Sequence, residues 1–270
     1  MGSGTQVMDR RRDAVTPGPL MFVRYAFPPN QRGSCGPPDS GTFFQYGVTG
    51  TVDAGLTELA RQFHGAWPYL ELIAGASGVP DPLDRRVVEA YWVGNGLLDR
   101  IGARAMGDSM EERFRRRVGS DFWKLAESVE AGGVPHHSYH VFCIYPWSGL
   151  LGNGSKGAEY ALTVLDRCRI RWGRVMAVQG DQVVVESQAL AFDGRRLSVA
   201  PPAKEVAVGA MDGEGLVTGL APGDWVALHW DWVCDRLSPT QLDTLRRYTS
   251  YHLAIVNDRL EHPGAVARLD

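Results

Sequence analysis

At Gly152-Asn153-Gly154-Ser155-Lys156-Gly157 the texture of this 270-residue chain changes, and one kind of secondary structure gives way to another. Before that segment apolar residues recur at steps of three and four: Leu56, Leu59, Ala60 and Phe63, then Val87, Val88, Tyr91 and Trp92. This is the spacing of amphipathic helices. A further helix is predicted from Asp108 or Ser109, as N-cap, to about Val129. After the segment come short valine-rich runs: 170–178, a Gly180-Asp181 turn, 182–187, a third run before Asp193-Gly194, and 225–230 behind Pro222-Gly223-Asp224. Strands this short, at this spacing, predict a small antiparallel barrel. Ser238-Pro239 then supplies an N-cap and an N1 proline for a last helix with Leu242, Leu245 and Tyr248 on one face. The expectation is an α+β chain. It has a flexible arm over 1–20, a mostly α-helical domain over 21–151, a Gly-rich linker over 152–160, and a small OB-like β-barrel with a terminal helix over 161–270. The linker matches GxGxxG formally, but no acidic partner follows at the required distance in a βαβ unit, so it reads as a hinge. Pro28-Pro29-Asn30 and Pro37-Pro38-Asp39 read as turns between helices.

At 44% hydrophobic and 22% charged, the chain is neither disordered nor a collagen-like repeat. Its apolar runs are far shorter than the roughly 20 residues that cross a bilayer, so a cytoplasmic protein without membrane contact is expected. A net charge of −3, with a dense basic cluster at 113–117, argues against nucleic acid as a partner. The four cysteines, Cys35, Cys143, Cys168 and Cys234, form no CxxC pair and no disulfide framework. Each is therefore a separate question of core, nucleophile or ligand; Cys143 and Cys234, inside apolar runs, read as core.

Two segments of the helical part carry chemistry-bearing side chains. In His136-His137-Ser138-Tyr139-His140, a helix puts His136 with His140, or His137 with His140, on one face, whereas a strand aligns His136, Ser138 and His140. Either arrangement permits His136, His137 and His140 to bind a metal; solvated turn histidines are the plainer alternative. Cys35, between small and turn-forming residues in Arg32-Gly33-Ser34-Cys35-Gly36-Pro37, is placed for exposure, as a ligand, as a nucleophile paired with His64 or His137, or as a turn residue. The aromatic clusters Trp67-Pro68-Tyr69-Leu70, Tyr91-Trp92 and Tyr145-Pro146-Trp147 read as core or interface.

The run Cys168-Arg169-Ile170-Arg171-Trp172-Gly173-Arg174-Val175, continued through Gly180-Asp181-Gln182, resembles the opening of the HypC/HupF/HybG family of [NiFe]-hydrogenase assembly chaperones. Gly223-Asp224-Trp225-Val226-Ala227-Leu228-His229 resembles that family's G-x-[WY]-V-x-x-H strand, and a helix follows in both. The likeness covers about residues 166–250. It implies an OB-like barrel carrying an iron that is being dressed as an Fe(CN)2CO unit, held by the leading cysteine and the strand histidine, here Cys168 and His229. A thiolate and an imidazole suit low-spin Fe(II), and two protein ligands leave positions open for diatomic groups. Gly173 is expected to keep the backbone beside the thiol uncrowded. Two departures stand out. The family's cysteine leads a free N-terminal end, whereas Cys168 lies deep in the chain and cannot thread into a partner in the same way. Trp172 replaces the family's proline.

The resemblance implies a hydrogenase maturation factor, a fused metallochaperone whose partners are a HypD-like assembly scaffold and the hydrogenase large-subunit precursor. The alternative is an enzyme whose Cys/His site in the helical part makes or transfers a diatomic iron ligand, carbon monoxide or its precursor.

Overall fold

The computed structural model describes residues 15–118, 129–151 and 157–262. The first-turn prolines Pro17 and Pro19 start α1 (Gly18–Gln31), so residues 18–20, read as arm, are helical. Proline is tolerated there because a first-turn N–H has no helical acceptor. Pro28 and Pro29 also lie inside α1, in its last turn, and not in a turn beyond it. Neither has an N–H, so the carbonyls four residues earlier, of Arg24 and Tyr25, lose their helical donors.

Asp39 caps α2 (Ser40–Thr49) by accepting from the Thr42 N–H, and Asp53 caps α3 (Ala54–Arg61) through Leu56. There follow α4 (Trp67–Ser77), α5 (Arg85–Trp92) and α6 (Ala103–Val118). Asp108 and Ser109 do not cap α6; they lie in its interior. Met106 and Met110, one turn apart, anchor the helix in the core, and Asp108 pairs with Arg104 at i,i+4 instead. The predicted course of this helix over 119–128 and the basic side chains of 113–117 lie outside the described residues, as do the linker residues 152–156. The histidine segment is neither a regular helix nor a strand. His136 caps a single turn, His137–Tyr139, which widens into a π-turn over His140–Ile144.

After α7 (Ala158–Cys168), whose first turn occupies the end of the expected linker, the chain enters its sheets. β1 (Arg171–Gln179), β2 (Gln182–Ser187), β5 (Ala203–Val208), β7 (Trp232–Arg236) and β6 (Trp225–His229) close in that order into a barrel, with β6 returning to β1. β3 (Leu190–Phe192) and β4 (Leu197–Val199) form a separate hairpin around Asp193-Gly194. The barrel is filled by Val175, Val183, Val185, Ala207, Val226, Leu228 and Val233.

A second, much larger core extends from Met21 in α1 to Val256 in the last helix and takes in Leu165, Trp172 and Ala227. The helical part and the barrel thus share one apolar interior across the expected domain boundary. The last helix, α8 (Pro239–Glu261), fastens them. Its Asn257 side chain bonds both the N–H and the carbonyl of Leu197, and its Arg259 donates to the Cys143 carbonyl. α8 starts as the sequence predicts, with Pro239 at its first position and a reciprocal capping box between Ser238 and Gln241. Ser238→Ala is expected to cost about 1 kcal/mol in urea unfolding, the usual value of an N-cap.

Candidate metal centre

The strand alternation of β6 decides where His229 points. Val226 and Leu228 face into the barrel, so Ala227 and His229 face outward against the helical layer. His229 is fully buried there, its ring 5.7 Å from that of Trp92. Its Nδ1–H donates to the Tyr25 carbonyl at 2.6 Å. That carbonyl is one of the two released by the prolines of α1, so Pro29 in the first helix provides the acceptor that orients a histidine some two hundred residues later. The other ring atom, Nε2, is buried and makes no hydrogen bond of normal geometry among the described residues, which leaves its lone pair available to a metal.

Cys168 is the last residue of α7, with two residues between it and β1, whereas the family's cysteine leads a free N-terminal end. The chain around it is sewn to the end of β6. The Trp230 N–H donates to the Arg167 carbonyl at 2.7 Å, and the Arg171 guanidinium donates to the Trp230 carbonyl. Trp230 itself sits at φ +52°, a left-handed conformation that costs a bulky residue about 1–3 kcal/mol. The clamp at both its N–H and its carbonyl holds it there. Arg171 and Arg167 in turn converge on Glu205, which also accepts from Ser187. Gly173 plays a different part from the expected one. A Cβ there would meet Val185 and Leu228 at 3.2 Å, so the glycine relieves the barrel interior and not the thiol.

His137 completes the group. Its Nε2–H donates to the Cys168 carbonyl at 2.8 Å, which leaves Nδ1 as the atom with the lone pair, now accepting from the Tyr91 hydroxyl at 3.2 Å. The donor atoms of His137, Cys168 and His229 all lie within 4.8 Å of one another, and all three residues are buried. Desolvation lowers the pKa of His137 to about 4, and burial, with His137 next to it, holds His229 well below the ordinary histidine value. Both imidazoles are therefore neutral ligands at neutral pH. Burial, and secondly the neighbouring Cys35, push the Cys168 thiol far above its usual range, so it is protonated until a metal displaces the proton. One thiolate and two imidazoles suit iron, zinc, cobalt, nickel or copper better than hard oxygen-seeking ions, and three ligands leave coordination positions open.

All three residues line a cavity of about 340 Å³, together with Cys35, His140 and aromatic rings that include Tyr91, Trp92, Tyr145 and Trp147. Trp67, Tyr69, Leu70, Tyr91 and Trp92 are core residues, as read, and Tyr145 and Trp147 pack against that core; Tyr91, Trp92, Tyr145 and Trp147 also wall the site, of which their spacing, typical of any packed helix face, carried no sign. His140 sits on that wall with its Nδ1 3.2 Å from the Tyr69 hydroxyl. Of the two helical pairings, His137 with His140 is the one on the cavity. His136 turns away, stacks on Tyr248 and shares Ser138 with His252, so it is not part of the group. His64 is exposed and does not line the cavity, and a Cys35–His64 pair is therefore not built. Burial raises the Cys35 thiol to about 12, which makes it a poor nucleophile at neutral pH. Cys143 and Cys234 are core residues.

Among the described residues no helix is long and apolar enough to cross a membrane. Residues 14–263 match DUF6390, a family of unknown function. No curated protein and no solved structure matches the chain.

Proposed function

The chain belongs to the DUF6390 family, and we propose that it is a cytoplasmic [NiFe]-hydrogenase maturation factor, a fused HypC-like chaperone that takes up iron as cargo. It carries or helps assemble the Fe(CN)2CO unit and delivers it to the hydrogenase large-subunit precursor, with a HypD-like scaffold as its other partner. The observation that carries this reading is the meeting of Cys168 and His229. These are the two residues that the resemblance to the HypC/HupF/HybG family marks as ligands, and they come together within 4.8 Å alongside a third donor, His137.

The donor chemistry fits the cargo. The Tyr25 carbonyl fixes the His229 imidazole in the tautomer that presents the Nε2 lone pair, and the Cys168 carbonyl leaves the His137 lone pair on Nδ1, which a metal would take over from the Tyr91 hydroxyl. The thiol gives up its proton on ligation, and the thiolate charge offsets part of the charge of Fe(II). The aromatic wall offers diatomic iron ligands a largely apolar pocket. His137 lies outside the resembling segment, and it supplies the work of the helical part: a third ligand and a cover in place of a free N-terminal cysteine.

The test is anaerobic purification after co-expression with hydrogenase assembly partners. Stoichiometric iron with infrared absorption in the cyanide and carbonyl stretching regions is expected. Absence of both under those conditions would rule the iron-carrier reading out.

A further inference from the structure

The cavity contains a second thiol that the three-donor group does not use. Cys35 lines the same cavity but stands outside the group whose donor atoms lie within 4.8 Å of one another. Its loop is built to hold it. Asn30, 4% exposed, donates from Nδ2 to the carbonyls of both Cys35 and Pro37, at 2.9 and 2.6 Å. The Ser34 N–H is tied to the Pro29 carbonyl at 2.9 Å. Gly33 and Gly36 take φ +68° and +83°, and a Cβ on Gly36 would lie 2.4 Å from the Phe63 ring. A buried asparagine bonded to the carbonyls of Cys35 and Pro37, with Ser34 tied to Pro29, holds this loop at the cavity.

The cavity also has a defined mouth. A surface groove shares four of its lining residues, Ser34, Tyr160, Val164 and Trp230, with the cavity, so the two are continuous. Tyr160 at this junction is 63% exposed. Cys35 directly follows Ser34 but lines only the inner cavity. Its place next to Ser34, a residue of both the groove and the cavity, puts Cys35 at the groove side of the cavity that it shares with Cys168.

We propose that Cys35 is a transfer ligand for a soft or borderline divalent metal, a relay between the mouth and the His137/Cys168/His229 set. On entry the Cys35 sulfur bonds the metal and its proton leaves to solvent. The Cys168 thiol then loses its proton and bonds the metal, the Cys35–metal bond breaks, and Cys35 takes a proton back. The metal keeps its oxidation state throughout. Metal held at Cys35 is at high effective concentration for the inner donors, and this is what speeds loading and release.

The inference rests on the metal-carrier reading above. The test uses the full chain and cobalt(II), followed by its thiolate charge-transfer absorption in a rapid-mixing experiment. Wild type should load in two sulfur-to-cobalt phases. Cys35→Ser should load in one phase, with loading and chelator-driven release each slowed by about tenfold or more. It should keep one cobalt per chain, the final wild-type spectrum and the wild-type thermal midpoint. Wild-type rates in Cys35→Ser overturn the relay. So does loss of stoichiometric binding in that variant, which would make Cys35 a resident ligand. The two phases are read on wild type itself, so a single wild-type phase overturns the relay even if the variant folds poorly. If wild type binds no cobalt, or Cys168→Ser binds it fully, the carrier reading has failed and the relay falls with it.

Discussion

Cys168→Ser and His229→Gln are each expected to abolish stoichiometric metal binding, whereas His137→Gln should leave weakened but measurable binding. Changes one shell out from a metal typically cost about 10–100-fold in affinity, and removal of the sulfur or of the His229 lone pair should exceed that range. Competition against a chelator of known affinity provides the measurement. The group's protonation sets the pH dependence. His137 and His229 are held neutral, their pKa values pushed down by burial, to about 4 for His137. Above pH 6 they release no proton when they bind. The Cys168 thiol, pushed up by burial and then by Cys35, must release one. Apparent affinity should therefore rise about tenfold per pH unit between pH 6 and 8, with one proton liberated per metal bound. A flat profile would mean that Cys168 is not a ligand.

Glu205→Ala is expected to be the most destabilising single change outside the large core, by about 3–5 kcal/mol in urea unfolding, the usual result of stripping a buried cation of its partner. Arg171 is 2% exposed and bonds Glu205, and Arg167 and Ser187 use the same carboxylate. Glu186→Ala on the exposed face of β2 is the control, expected within about 0.5 kcal/mol of wild type. Burial alone would raise the Glu205 pKa, but Arg171, Ser187 and Arg167 outweigh it and hold it below the ordinary glutamate value of 4.5. A depressed folded pKa gives stability that is fully present above the unfolded value and lost as pH falls through the folded one. The gap between wild type and Glu205→Ala should therefore be constant near neutrality and narrow below about pH 4.5. Because Arg171 also clamps the Trp230 carbonyl next to His229, the variant should lose metal affinity together with stability. Full affinity in a destabilised Glu205→Ala would separate the ion cluster from the site.

Local signals located much of this architecture. The alternation of Gln182–Ser187 and the Ser238-Pro239 cap appear where the sequence places them, because turn chemistry and capping act within a few residues. β5 and β7 were not legible: Ala203–Val208 and Trp232–Arg236 are short and carry charges, and their strand character comes from the neighbours they pair with. Asp108 shows the converse error. An acidic residue at this point looks like a cap, but burial of Met106 and Met110 set the start of α6 nearly two turns earlier.

For the site, the sequence alone determined the donor types, the segments that bear them and, through strand alternation, that His229 and Leu228 must face opposite sides of β6. Only the tertiary structure decided which donors meet. His136 and His137 are neighbours in the chain, yet one turns to α8 and the other to Cys168, because the widened turn at His140–Ile144 has no periodicity that spacing can reveal. The Tyr25 carbonyl becomes the partner of His229 because Pro29 removes its helical donor, and the packing of α1 against β6 brings the vacated acceptor within 2.6 Å of the ring. Contacts of that kind depend on which faces are buried together, and that is settled by the single core shared between the helices and the barrel.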